Sequence, residues 1–287
     1  MGSLFYFKKL STCQGETGYR SLKDILIMKE VKILAIGDMV GKAGRRAIGN
    51  KLQTMVERER IEFVIANGEN SAGGLSMTPE ITREIFSYGV NVITSGNHVW
   101  GNNDILQIID SEPNLIRPAN YPPDVPGKGY CLGNIKGTKI CVINLMGRVM
   151  MNPMDCPFRK FDEIYKIVKD QADIIVVDFH AETTSEKQAF GWYVDGRASA
   201  VFGTHTHVQT ADERLLHNGT GYITDIGMTG SLDSVIGMIK ERSIRFFLTQ
   251  TRVKFEPADD NPWLNGIIFK INDSGKTVSM TRVQEKG

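Results

Sequence analysis

Five short apolar runs in this chain each stop at residues able to bind a metal ion. Asp38 follows VKILAIG, Glu69 and Asn70 follow FVIANG, and Asn97 and His98 follow VNVITSG. His180 ends DIIVVDFH, and His205 and His207 follow ASAVFGT. Apolar runs of this length, separated by amphipathic stretches, read as buried strands alternating with helices. In open α/β sheets ligands bind at the carboxyl ends of the strands. A fold of that kind brings donors as distant in sequence as Asp38 and His207 to one edge.

The alternation starts at Val31 with a strand, a helix through Ile48, Leu52 and Met55 to Arg60, and a second strand, which is a βαβ opening. Thr78 and Pro79 make an N-cap and first-turn pair for a helix reaching Tyr88 and stopping at Gly89. A short helix is predicted over 104–110. After the Pro/Gly-rich stretch YPPDVPGKGY, two strands flank a turn region at 133–137, an arrangement in which Cys131 and Cys141 could face each other across a hairpin. The second half repeats the rhythm with a helix over 159–169, the DIIVVDFH strand, a helix after Thr184 and the ASAVFGTHTH strand. GTGYITDIG, RFFLTQTRVKFEP and GIIFKINDSGKTVSMTRV then read as strands, the last with a hairpin at 272–275. Parallel βα units followed by antiparallel pieces predict an α/β fold of two mixed β-sheets packed face to face, with helices on both outer faces.

At 287 residues the chain is long enough for a large core, and one domain over 28–287 is expected. Residues 1–27 read as an N-terminal extension. MGSLFYFKKLSTCQGETGYR lacks the apolar core of a signal peptide and has Tyr6 where a myristoylation motif needs Ser or Thr. No apolar run reaches bilayer-spanning length, so no membrane partner is expected. With 34 basic and 33 acidic residues the net charge is +1, and recognition of phosphate must be local. Cys13, Cys131, Cys141 and Cys156 form no CxxC pair, which argues against a zinc ribbon or a stapled secreted domain and points to the reducing cytoplasm. The plain reading of Cys131 and Cys141 is two small buried residues.

Taken singly, several of the strand-end residues have ordinary explanations, since an Asp after a strand is commonly a turn residue or N-cap. Together they are harder to explain so, because four of the five histidines sit at strand ends; His217, in ERLLHNGTG, reads as a solvated loop residue. Carboxylate, amide and imidazole donors without thiolate suit manganese, iron or zinc, and there are too many for one tetrahedral site, so two divalent ions are implied. Two such ions, offset by Asp38, Glu69 and a bridging hydroxide, leave about one positive charge, which matches a phosphodiester. Gly37, Gly41, Gly73, Gly74, Gly96 and Gly203 lie beside the donors and would let backbone approach ions and phosphate closely.

The motifs GDxxG, GEN, GNHxW and GTHTHVQT, with a histidine between the last two, together resemble the metallophosphoesterase superfamily. NPMDCPF and GYITDIGMTGSLDSVIG narrow the resemblance to its bacterial YmdB-like branch of cyclic-nucleotide phosphodiesterases, from Val31 to Val283. Val40 stands where the wider superfamily has His, and Glu69 where it has a bridging Asp; both departures are shared by the branch. The resemblance implies a four-layer α/β/β/α sandwich. It also implies that Asp38 and His207 hold one ion, that Glu69 bridges, and that Asn97, His180 and His205 hold the other, with Asn70 either binding the first ion or orienting phosphate. His98 is implied to contact phosphate and protonate the leaving alkoxide.

The expected activity is hydrolysis of 2′,3′-cyclic nucleotides or related small phosphodiesters by a hydroxide bridging two ions. RNA ends and a second copy of the chain are left open as partners. The alternatives are a phosphomonoesterase or phosphoprotein phosphatase using the same site, and a nucleotide- or RNA-sensing regulatory protein with slow turnover.

Overall fold

The computed structural model describes residues 30–287. The extension expected over 1–27, and the domain start expected at Met28, lie outside the described residues. Strands β1 (Val31–Ile36), β3 (Phe63–Asn67) and β4 (Val92–Thr94) run parallel side by side. Antiparallel to β1 lies the long β12 (Pro262–Ile271), which carries β13 (Thr277–Lys286) on its other side. The short strands β2 (Asp38–Met39) and β11 (Met228–Ser231) complete this first sheet. The second sheet holds β5 (Tyr130–Ile135), β6 (Thr138–Met146), β7 (Ile174–His180), β8 (Ala200–Thr204), β9 (Arg214–Leu215) and β10 (Gly221–Ile223). Their order is β5-β6-β7-β8-β10-β9, with β6, β7, β8 and β10 parallel.

Period-two alternation sorts each strand between two cores. Ile33 and Ala35 of β1 join Val142 of β6, Val176 of β7 and Phe202 of β8 in the layer between the sheets. Leu34 and Ile36 face the opposite way, onto Ala47, Ile48, Leu52 and Met55 of helix α1 (Gly41–Glu59) and Ile85 of α2 (Pro79–Ser87). On the far side of the second sheet, Ile143, Val177 and Val201 pack against α3 (Pro157–Val168) and α4 (Thr184–Val194). The layers are therefore helix, sheet, sheet, helix. Thr78 caps α2 by accepting from the Ile81 amide at 3.3 Å, as the Thr-Pro signal predicts.

Two local expectations fail. The segment RFFLTQTRVKFEP opens not as a strand but inside helix α5 (Lys240–Thr249), which ends at Gln250 in the left-handed conformation with φ of 52°. Aromatic and β-branched residues suggest a strand there, yet Ile244, Phe247 and Leu248 recur at helical spacing, and Phe246 packs on Phe255. The helix expected over 104–110 shrinks to one 3₁₀ turn, Asn103–Gln107, capped by Asn102. The β5–β6 register pairs Cys131 with Val142 and Leu132 with Cys141, so the two cysteines are one residue out of step. Alternation then sends Cys131 into the intersheet core and Cys141 into the outer one, where both are free, buried thiols.

Candidate metal centre

The parallel strands bring the eight singled-out residues to one end of the sandwich. Asp38 and Glu69, both buried, come from the first sheet, with Asn70, Asn97 and His98 on the turns beyond β3 and β4. His180 ends β7, and His205 and His207 sit on the turn after β8. His180 Nε2 lies 2.8 Å from Asn97 Oδ1, 3.1 Å from His205 Nδ1 and 3.3 Å from Glu69 Oε1. His207 Nε2 is 3.9 Å from Asp38 Oδ1 on the neighbouring side of Glu69 and 3.3 Å from Asn70 Nδ2. Glu69, His180 and His205 are close enough together for one cation to touch all three.

Hydrogen bonds behind the histidines fix which nitrogens face inward. Thr204 donates its hydroxyl to Asp178 Oδ1 at 2.6 Å, so toward His180 Nδ1, at 2.9 Å, it can only accept. His180 therefore carries its proton on Nδ1 and offers a lone pair at Nε2. His207 donates from Nδ1 to the Ile236 carbonyl at 2.8 Å, and His205 from Nε2 to the Glu182 carboxylate at 3.0 Å. Each histidine is thus held by its outer nitrogen, the arrangement that orients imidazole toward a metal. The inner atoms at His180 are all acceptors: two imidazole lone pairs, a carboxylate and an amide oxygen within 3.3 Å. With Glu69 ionised and no positive charge among them they repel.

Two further observations fit a cation. Asp38 Oδ1 is buried without a hydrogen-bond partner. A Cβ on Gly96 would come within 2.3 Å of Glu69 Oε2 and His180 Nε2, so only glycine leaves the space between them free. Burial pushes the Asp38 carboxyl up to about 6, and burial, with Asp38 alongside, holds Glu69 well above the usual carboxylate range. Burial likewise keeps His180 and His205 below the ordinary imidazole value, so both are neutral lone-pair donors near pH 7. Among the other glycines, Gly37 and Gly203 serve the frame, since a side chain there would strike the backbone carbonyls of Gly227 and Thr224.

His98 occupies the rim, half exposed. Its backbone amide donates to Glu69 Oε2 at 3.2 Å, and its Nδ1 lies 2.8 Å from Asn70 Oδ1. Asn70 turns its amide nitrogen toward Glu69 and His207, so its oxygen, as placed, serves His98. His217 is exposed beside Trp192, away from this group.

Asp178 escapes a search for strand-end donors. Wholly buried in β7, it accepts from Thr204, from Asn67 of β3 at 3.1 Å and from Thr94 of β4, joining the two sheets under the site. Its signal was a carboxylate inside the otherwise apolar run IIVVDF. The Thr204, Glu182 and Ile236 contacts have no such signature, because they depend on where separate loops meet.

Two stacked mixed sheets between helices, with carboxylate, amide and imidazole acceptors gathered at their strand ends, define a metallophosphoesterase-type protein. Within that class the chain belongs to the YmdB-like protein family, whose model matches residues 34–283. It is 45% identical over 254 residues to the 2′,3′-cyclic-nucleotide 2′-phosphodiesterase of Bacillus subtilis (strain 168), covering 88% of this chain and 96% of that one. A solved structure from Mycoplasma pneumoniae described as a novel phosphatase superposes with a TM-score of 0.86 at 35% identity, over 91% of this chain and 95% of the other. A hypothetical protein of Thermus thermophilus gives 0.84 at 38% identity, covering 89% of this chain and 99% of that one.

Proposed function

We propose that this protein is a metal-dependent phosphodiesterase that hydrolyses 2′,3′-cyclic nucleotides or related small phosphodiesters. The observation that carries the reading is the gathering of carboxylate, amide and imidazole groups around His180 Nε2, a set of donor atoms suited to a cation. In this reading Asn97, His180 and His205 would hold one divalent ion and Asp38 and His207 a second, with Glu69 shared between them. Asn70 joins that second set by turning its oxygen inward, or keeps it outward to orient phosphate through His98. The donors, with no thiolate among them, favour iron or manganese, with zinc as the third candidate. Bound there, the ions would supply Lewis acidity to the phosphoryl oxygens and acidify water for in-line attack.

The chain's own residues account for the rest. Asn70 holds His98 by its Nδ1–H, so in the imidazolium form His98 has a second proton, on Nε2, to pass to the departing oxygen. Burial keeps His98 below the ordinary imidazole value. The name of the Bacillus subtilis relative supports the 2′-oxygen as the leaving atom, with a 3′-phosphate as product. A reducing cytoplasmic location belongs to the same proposal, supported by the free thiols of Cys131 and Cys141. Among the described residues no helix is long and apolar enough to cross a membrane.

The deciding experiment compares hydrolysis of 2′,3′-cyclic AMP and 4-nitrophenyl phosphate by protein purified without chelator, before and after EDTA and with manganese restored. Metal-dependent turnover of the cyclic diester well above that of the monoester is expected. The opposite preference would make the protein a phosphomonoesterase, and turnover indifferent to EDTA would remove the metal reading.

A further inference from the structure

The turn carrying His205 and His207 is built against the preferences of its own backbone. Both histidines adopt positive φ, 97° and 66°, a region that residues with a side chain rarely enter. Such a conformation persists only where surrounding contacts over-determine it. Asp38 accepts from the His205 amide at 3.1 Å, and Met228 donates its amide to the His207 carbonyl at 3.1 Å. The residue between the histidines, Thr206, points elsewhere: its amide and hydroxyl both donate to Asp225 Oδ2, at 3.2 and 2.7 Å.

Asp225 lies where the chain leaves β10 in the second sheet and crosses to β11 in the first. It is wholly buried, and its Oδ1 accepts from the Gly227 amide at 2.8 Å, which holds the crossing in shape. Lys187 of α4, also buried, reaches the same carboxylate at 2.7 Å and donates to the Thr204 carbonyl, the last of β8, at 2.8 Å. A lysine seldom sits inside a protein unless it is paired. Here its two contacts tie the end of β8 to the crossing segment, bracketing the histidine turn from both sides. Neither Lys187 nor Asp225 is placed to touch substrate.

We propose that the buried Lys187–Asp225 pair is a positioning device that holds the His205–Thr206–His207 turn in its high-energy backbone conformation, so that both histidines are aimed before any ion arrives. The inference rests on the metal reading of the site for its purpose, but the state of the turn can be measured without ions.

The test uses the full chain carrying Thr206→Val, Thr206→Ser, or Lys187→Met together with Asp225→Asn. Thr206→Val removes the hydroxyl donor at unchanged size, Thr206→Ser keeps it, and the paired substitution removes both buried charges together, avoiding an unpartnered one. Amide hydrogen exchange of the 203–209 segment is followed in chelated protein, and Mn2+ affinity by calorimetric titration. Exchange about tenfold faster and Mn2+ binding about tenfold weaker are expected for Thr206→Val, with wild-type values for Thr206→Ser, the size of effect expected from one charge-assisted hydrogen bond. The paired variant should show the same changes while exchange in β1 and β6 is unaltered. Wild-type exchange of the turn in folded Thr206→Val, or equal behaviour of the Val and Ser variants, overturns the proposal even if the melting temperature falls. A wild-type chain that binds no Mn2+ would overturn the metal reading and leave the exchange result to judge the clamp.

Discussion

Glu69 faces both halves of the donor group, lying near the inward Nε2 of His180 on one side and bonded to Asn70, which faces His207, on the other. Glu69→Gln should keep the fold, lose at least one bound ion and slow turnover by orders of magnitude. Metal analysis beside steady-state rates checks this, and full occupancy at normal rate would dispose of a shared site. His98 differs because it stands at the rim. His98→Ala should retain its ions but lose roughly 10²–10⁴ in rate on a 2′,3′-cyclic nucleotide, the range for a missing general acid. A nitrophenyl phosphodiester, whose leaving group needs no proton, should suffer far less; equal losses on both would assign His98 to phosphate binding alone. That these eight residues meet at one end of the sandwich was legible because each follows or ends an apolar run. What orients them was not, since the Glu182 carboxylate and the Ile236 carbonyl become partners only through loops that the sequence leaves unpaired.

Elements were legible where one periodicity dominates, as in β1, whose alternate residues divide cleanly between two cores. They were illegible where composition and period disagree, as in α5, whose phenylalanines favour a strand while their spacing favours a helix. The two cysteines are buried thiols, as their plain reading has it, and they do not face each other because a one-residue shift of register moves a side chain to the other face. Helix α1 offers a test at this scale. A methyl group on Gly44 would lie 2.5 Å from the Thr229 carbonyl of β11. Although alanine is the better helix former by about 1 kcal/mol, Gly44→Ala should destabilise by ~1–3 kcal/mol through overpacking. Urea unfolding measures the balance, and a more stable variant would show that α1 can shift off the sheet freely.

At the scale of the molecule, the ions and the sandwich should be thermodynamically linked. In chelated protein the raised Asp38 and Glu69 carboxyls bind protons that the unfolded chain has already released, so the stability these two groups contribute is full below about pH 4 and is lost as the pH rises, for Asp38 through about 6. Ion uptake displaces those protons. The gain in melting temperature on adding Mn2+ should therefore be larger at pH 7.5 than at pH 5, as scanning calorimetry can show; a gain independent of pH would contradict the assignment of these carboxylates as ligands. A chain starting at Met28 should match the full-length protein in melting temperature and turnover, since none of the eight candidate site residues precedes it. A clear fall in either would contradict the division at that point.

The pairing of β1 with β12 sets a timetable for synthesis. Strand β1, among the first described elements to leave a ribosome, must wait for nearly the whole chain before its antiparallel neighbour exists, because Val31 pairs with Ile271. The β1–α1–β3 unit can gather early, yet one flank of β1 stays open until the C-terminal hairpin arrives, a hazard for stray strand pairing during translation. Asp38, just beyond the end of that unfinished strand, can meet His205 and His207 only after both sheets exist. A nascent chain therefore has no completed pocket in which to trap whatever cation is most abundant, and metal choice is deferred to the finished protein.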